Sequence, residues 1–182
     1  MQHSYMTSIG LKNIYFLHLA IEIVGPVEIK KDQILEKFSD KWSCWGLFFK
    51  VEVEITVNSL VGNGYWNVFH FTWNGDDGVN GYRQPALFVT KENFYLSIAA
   101  VNGATFDYEL GQKYHIVFQQ YQLEDKVMAE VKIDGEIIVS EENKLAKSFP
   151  GTRLYISDPW WPSFTSNYGS IENFEITKYS QF

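Results

Sequence analysis

The chain has one cysteine in 182 residues. Cys44 has no intramolecular partner, so nothing in the sequence marks an oxidising compartment and no disulfide frame substitutes for a core. Between Trp42 and Trp45 it reads as a small buried apolar residue. A cysteine nucleophile needs a base beside it, and the sequence places none. Positive charge is also scarce: 15 Lys and Arg stand against 22 Asp and Glu, a net charge of −7. That balance excludes a nucleic-acid footprint and disfavours an anionic membrane surface. It suits neutral glycans, cations or a basic protein patch. No Asn-x-Ser/Thr sequon occurs. No hydrophobic run is long enough for membrane insertion. IYFLHLAIEIVG (Ile14 to Gly25) is interrupted by Glu22 and reads either as a weak signal-peptide core or as a first strand. The expected organisation is an N-terminal segment, residues 1–25, followed by one domain, 26–182. Sustained helical periodicity is missing too, and Glu141 to Lys147 is the one short helix candidate. The four histidines show no zinc-ligand spacing.

What the chain has is aromatic and apolar residues in alternation. Apolar residues make up 46% of the chain and aromatics 17%, enough for one β-rich domain with a sizeable core. In KVEVEITVN, Val51, Val53, Ile55 and Val57 fall on one face, with Lys50, Glu52, Glu54, Thr56 and Asn58 on the other. That is a half-buried antiparallel strand. VMAEVKI (Val127 to Ile133) alternates in the same way. YWNVFHFTW (Tyr65 to Trp73) is apolar on both faces, as a central strand is. Asp134-Gly135 is a type I′ hairpin signal. Lys91-Glu92-Asn93, Val61 to Gly64 and Gln122 to Lys126 mark further turns. About ten to twelve strands at this spacing imply an all-β, two-sheet antiparallel jelly-roll sandwich.

Three segments in order carry a family resemblance. LGQKYHIVFQQ (Leu110 to Gln120) resembles a "dgkWHhV" entry into a central strand, with Tyr114 in place of the Trp and His115 retained. VKIDGEII (Val131 to Ile138) resembles an "l.vDG" hairpin. RLYIS…GSIENFEI (Arg153 to Ile176) resembles an "lyiGg…G.IrNv.i" closing strand. Together they are similar to the laminin G-like branch of the concanavalin A-like lectin and glucanase superfamily, from Trp45 to Lys178. Asp158-Pro159-Trp160 also matches a "DPW" found in laminin G-like modules of animal extracellular proteins. The resemblance implies the sandwich and a secreted, extracellular setting. It implies no single chemistry, because this fold hosts lectins, glycosidases, pentraxins and adhesion modules.

Catalysis on this fold, in laminarinase-type relatives, uses carboxylates at i, i+2 and i+4 on one strand, which alternation points into one cleft. Here Glu52-x-Glu54-x-Thr56 lacks the third carboxylate, so the expectation is a protein that is not an enzyme. The loop WNGDDGVNGYRQP (Trp73 to Pro85) offers Asn74, Asp76, Asp77 and Asn80 as oxygen ligands for Ca2+. The resemblance implies calcium at such a rim, while the same residues are also ordinary turn formers. Arg83 reads as an ion-pair partner of this loop and as a ligand-binding group. In ISDPWWPSF (Ile156 to Phe164), Pro159 and Pro162 fix φ and remove two donors, so Trp160 and Trp161 sit on a stiff corner. One tryptophan, Trp160 rather than Trp161, is expected to pack on the sandwich while the other stays exposed for stacking on a sugar ring. Asp158, Asn167 and Tyr168 would supply hydrogen bonds to that sugar. A turn-capping Asp158 is the alternative. The expected function is a non-catalytic, lectin-like module that binds carbohydrate with calcium assistance. The alternative is an adhesion module that binds an extracellular protein or forms a homo-oligomer, with a glycoside hydrolase third.

Overall fold

The computed structural model describes residues 20–23, 33–37, 47–73, 75, 82–98 and 103–178. Among these residues there is no helix, and twelve strands form two six-stranded sheets. In chain order they are β1 (Ala20–Ile23), β2 (Gln33–Lys37), β3 (Phe49–Val57), β4 (Trp66–Thr72), β5 (Ala86–Val89), β6 (Asn93–Ser97), β7 (Ala104–Asp107), β8 (Lys113–Leu123), β9 (Lys126–Ile133), β10 (Glu136–Glu142), β11 (Arg153–Ile156) and β12 (Gly169–Lys178). The first sheet runs β1-β12-β3-β8-β9-β10 and the second β2-β11-β4-β5-β6-β7. Every strand pairing is antiparallel. The sandwich expected from the alternation is therefore the fold.

Period-two patterning decides what lies between the sheets. Val51, Val53, Ile55 and Val57 of β3 are fully buried, and the intervening residues are half-exposed. Tyr114, Ile116 and Phe118 of β8 face the same interior. From the second sheet come Phe69, Phe71, Leu87, Val89, Phe94 and Leu96. Phe69 joins the layers: its ring meets Phe118 of β8 edge-on at 5.6 Å and Phe174 of β12 at 5.3 Å. Burying each such side chain contributes roughly 1.5–3 kcal/mol. β4 is covered on both sides, as its apolar run requires, and sits between β11 and β5.

The turns follow their residues. Asp134 and Gly135 have φ of 50° and 86°, the two positive values a type I′ hairpin needs. Lys91 to Asn93 turns β5 into β6, and Glu124 turns β8 into β9. Residues 61–64 carry the chain from one sheet to the other. The helix expected over Glu141 to Lys147 does not form. Glu141 and Glu142 extend β10, and Asn143 then anchors a turn by donating to Gln120 Oε1 at 2.7 Å. A seven-residue stretch with one hydrophobic anchor gains more from adding two ladder residues than from a short isolated helix. Ala20–Ile23 lies within the N-terminal segment and pairs with Phe174 to Thr177 of β12. Cys44, Trp42 and Trp45 lie outside the described residues.

Candidate functional site

The corner at residues 157–163 is built on the outer face of the second sheet. It leaves β11 through Ser157, whose φ of 57° turns the chain sharply. Three buried polar side chains then hold it. Asn67 lies at an irregularity in the β4–β5 register. Its Oδ1 accepts from the Asp158 N–H at 3.0 Å, its N–H donates to the Pro162 carbonyl at 2.9 Å, and its carbonyl accepts from Phe164. Asp158 Oδ1 accepts from the N–H groups of both Trp160 and Trp161 at 3.0 Å. His70 Nδ1 is hydrogen-bonded to Asp158 Oδ2 at 2.6 Å, and its Nε2 meets the Tyr82 carbonyl. Asn67, His70 and Asp158 are all fully buried. One histidine thus ties the 157–163 corner to the 82–85 segment.

This clamp presents aromatic rings. Trp160 lies edge-on to Tyr155 at 5.3 Å and to His70 at 5.8 Å, and keeps 44% of its surface exposed. Trp161 is half-buried against Phe88 at 5.8 Å and Tyr65 at 5.9 Å. Tyr65 is 42% exposed and meets Tyr95 at 5.2 Å. The Arg83 guanidinium lies over Phe88 at 5.3 Å and Trp161 at 5.9 Å. Aromatic pairs at these separations add about 0.5–1.5 kcal/mol beyond burial, so the rings stand in fixed orientations.

The structure thus brings Asp158, Trp160, Trp161 and Arg83 together. One tryptophan packs and the other is exposed, but in the reverse of the expected order: Trp161 is the packed ring and Trp160 the exposed one. Asp158 departs from its expected role as a sugar hydrogen-bonding group. It is fully buried with both oxygens engaged by the chain, which makes it the cap of the turn. Asn167 and Tyr168 belong to a different contact set, at the entry to β12. Tyr168 stacks on Phe164 and meets Trp66 edge-on at 4.8 Å, and its carbonyl accepts from Asn58 and Ser59. Asn167 is exposed, and its carbonyl accepts from Ser59 Oγ at 3.0 Å. Tyr65, Tyr95 and Asn67 are members that the sequence reading did not single out. A lone Asn inside the apolar run of β4 and an outward Tyr at the head of that run were the available signals. The calcium candidates Asn74, Asp76, Asp77 and Asn80 lie outside the described residues. Among the described residues, no three His, Cys, Asp or Glu come together as a metal-ligand group.

The outer face of the first sheet is polar. Glu52 pairs with Lys50 at 2.6 Å and lies 3.5 Å from His115. Lys113 bridges Glu54 and Glu172 at 3.1 and 3.0 Å. The Lys113 hydrogen bond holds the Glu54 carboxyl below its ordinary value against a smaller opposing effect of burial. Burial pushes Glu130 up, but hydrogen bonds from Lys132, Gln119 and Tyr121 outweigh it and the net direction is down. Glu54 and Glu130 are thus both favoured in their ionised form by basic or polar neighbours.

No family model and no curated protein matches the chain. Solved structures share its fold. Trypanosoma rangeli sialidase matches 75% of this chain at TM-score 0.54 and 18% identity, over 21% of its own length. The same sialidase in complex with 2,3-difluoro-KDN matches 88% of the chain at TM-score 0.59 and 14% identity, over 26% of its length. The receptor-binding domain of a botulinum neurotoxin C/D mosaic serotype matches 90% of the chain at TM-score 0.53 and 12% identity, over 44% of its length. The chain therefore spans about a quarter or less of the sialidase and under half of the toxin domain, and the likeness is one of β-sandwich architecture.

Proposed function

We propose that the chain is a non-catalytic, lectin-like binding module of the laminin G-like, concanavalin A-like type, acting outside the cell, and that the 157–163 corner binds carbohydrate. The observation that carries this is the exposed Trp160 ring, fixed beside Trp161 and Tyr65 by the buried Asn67–Asp158–His70 clamp. The apolar face of a pyranose ring carries C–H bonds that lie flat on an indole. A rigid indole takes a sugar with little loss of side-chain freedom. The buried clamp keeps its own polar groups satisfied, so the hydrogen bonds to a sugar fall to Arg83 and the Tyr65 and Tyr95 hydroxyls. The non-catalytic reading is supported by Glu54, whose carboxyl Lys113 holds below its ordinary value where hydrolysis needs a protonated acid, and by the pairing of Glu52 with Lys50. Calcium assistance through Asn74, Asp76, Asp77 and Asn80 is part of the proposal and rests on the sequence alone.

The test is titration with a panel of neutral and acidic oligosaccharides, with calcium or with chelator, followed by thermal unfolding and tryptophan fluorescence. A sugar that binds the native state raises Tm by mass action. Trp160→Ala and Tyr65→Phe are expected to weaken that binding, the first by about tenfold or more, while the unliganded Tm stays close to wild type. Full binding by Trp160→Ala would remove the corner as the site. A chelator-reversible rise in Tm would establish the calcium contribution.

A further inference from the structure

A groove of about 370 Å³ opens where an edge of each sheet comes together. β7 is the last strand of the second sheet, and the β9–β10 hairpin ends the first. The groove shares no residue with the tryptophan corner. Its lining includes aromatic rings from Phe106, Tyr108 and Tyr114. Phe106 meets Tyr114 at 5.8 Å, and both tyrosines lie against Phe94 at 5.1 and 5.4 Å. The tyrosine hydroxyls are engaged by the chain itself: Tyr108 donates to the Thr90 carbonyl at 2.9 Å, and Tyr114 accepts from the Glu109 N–H at 2.8 Å. The rings therefore offer the groove π surface rather than polar groups.

The rim is acidic. Asp107, Glu109 and Glu136 are exposed, and none of them forms an ion pair among the described residues. Asp134 uses one oxygen to accept from the His115 N–H at 2.8 Å and keeps the other. Among the described residues, no Lys or Arg lines the groove. On the first sheet's outer face, by contrast, Glu52, Glu54 and Glu130 each have a lysine partner. β7 adds a second feature. It pairs with β6 along Ala104 to Asp107, and among the described residues no backbone hydrogen bond leaves its other side. An unpaired edge is a template for another strand. Carboxylates along it repel a second copy of this acidic chain and attract a basic segment.

We infer that this groove and the β7 edge bind an extended basic peptide segment of a partner protein. The peptide main chain pairs with β7, and its Lys or Arg side chains enter the groove. There the cation lies against the aromatic rings, which attract it through their quadrupoles, with carboxylates around it. A metal ion fits the lining less well. The described carboxylates do not converge as a ligand set, and π surface suits an organic cation.

The test uses the full chain and a fluorescently labelled peptide of alternating Lys and Val. The controls are a Glu–Val counterpart, two versions N-methylated on one or the other alternate set of amides, and spermidine as a small polycation. The expected result is salt-sensitive binding of the Lys–Val peptide alone, with one N-methylated version silent and the other active. The Asp107→Asn/Glu136→Gln double variant is expected to bind about tenfold more weakly at an unchanged Tm. Equal binding of the Glu–Val peptide, or full affinity in that variant, overturns the inference. Full competition by spermidine with both N-methylated peptides still active also overturns it, in favour of a small-cation pocket.

Discussion

At the scale of single residues, His70 decides the most. It holds Asp158 on one ring nitrogen and Tyr82 on the other, and it has no exposed surface. Removing one partner of this buried hydrogen-bonded pair leaves the other desolvated and unpaired, which costs about 1–3 kcal/mol or more. His70→Ala and Asp158→Ala are each expected to destabilise the domain by about that much. Their double variant should show a coupling energy of roughly 1–3 kcal/mol in a denaturant-melt cycle. Tryptophan emission of Asp158→Ala should shift to the red, because Trp160 and Trp161 lose the carboxylate that caps their N–H groups. Additive losses with unshifted emission would show that the clamp does not hold the corner. Half of this arrangement was legible in the sequence. Asp-Pro-Trp-Trp-Pro spells a rigid capped turn from local chemistry alone. The partner of Asp158 was not legible, because it lies 88 positions away and only the β11–β4 pairing brings it close. His70 is a satisfied buried histidine, but nothing in its local sequence says what satisfies it.

At the scale of elements, alternation carried nearly all of the information. β3 buries the residues its period-two pattern assigns to the core, β9 buries Ala129, Val131 and Ile133 of its own, and the Asp134-Gly135 hairpin forms at its signal. The closing strand shows how a motif becomes geometry. In GSIENFEI the Asn is residue 173, at φ 49°, where the β12–β3 register shifts between Glu172 and Glu175. Asn tolerates this left-handed conformation, and the bulge returns Phe174 and Ile176 to the interior. The Gly of the same motif is fixed by a close approach. A Cβ on Gly169 would stand 2.0 Å from the Thr56 carbonyl oxygen and 2.7 Å from the Phe164 ring. Backbone cannot give way as a side-chain tip does. Gly169→Ala should therefore destabilise by about 1–3 kcal/mol or more, measured as a lower denaturant midpoint at unchanged slope. A wild-type midpoint would mean that β12 and β3 can separate without loss. The failed helix over Glu141 to Lys147 is the converse case, in which local propensity was too weak to resist extension of a neighbouring ladder.

For the whole molecule, the question is what completes the sandwich. The first sheet ends in β1, four residues paired with the β12 segment that carries Phe174 and Ile176 into the core. If residues 1–25 act as a leader, removing them should leave the domain's stability intact. If β1 belongs to the working fold, removal exposes the β12 edge, and its loss has a size that can be reckoned. About four backbone hydrogen bonds at a net 0.5–1 kcal/mol each come to roughly 2–4 kcal/mol. In a domain of this size that corresponds to a fall in Tm of about 5–15 °C. The bared edge should also pair with its own copy, so the truncated chain is expected to self-associate with concentration while the full chain does not. Light scattering beside a thermal melt of both lengths separates the outcomes. A lower Tm with new self-association assigns β1 to the fold, and an unchanged Tm with a monomeric species assigns the segment to processing. The same scattering measurement on the full chain tests the homo-oligomer alternative. Composition could not have decided this, because an apolar stretch of twelve residues broken by one Glu meets the needs of an export signal and of a sheet edge alike. The partner of β1 lies more than 150 positions away, so no local pattern reveals the pairing.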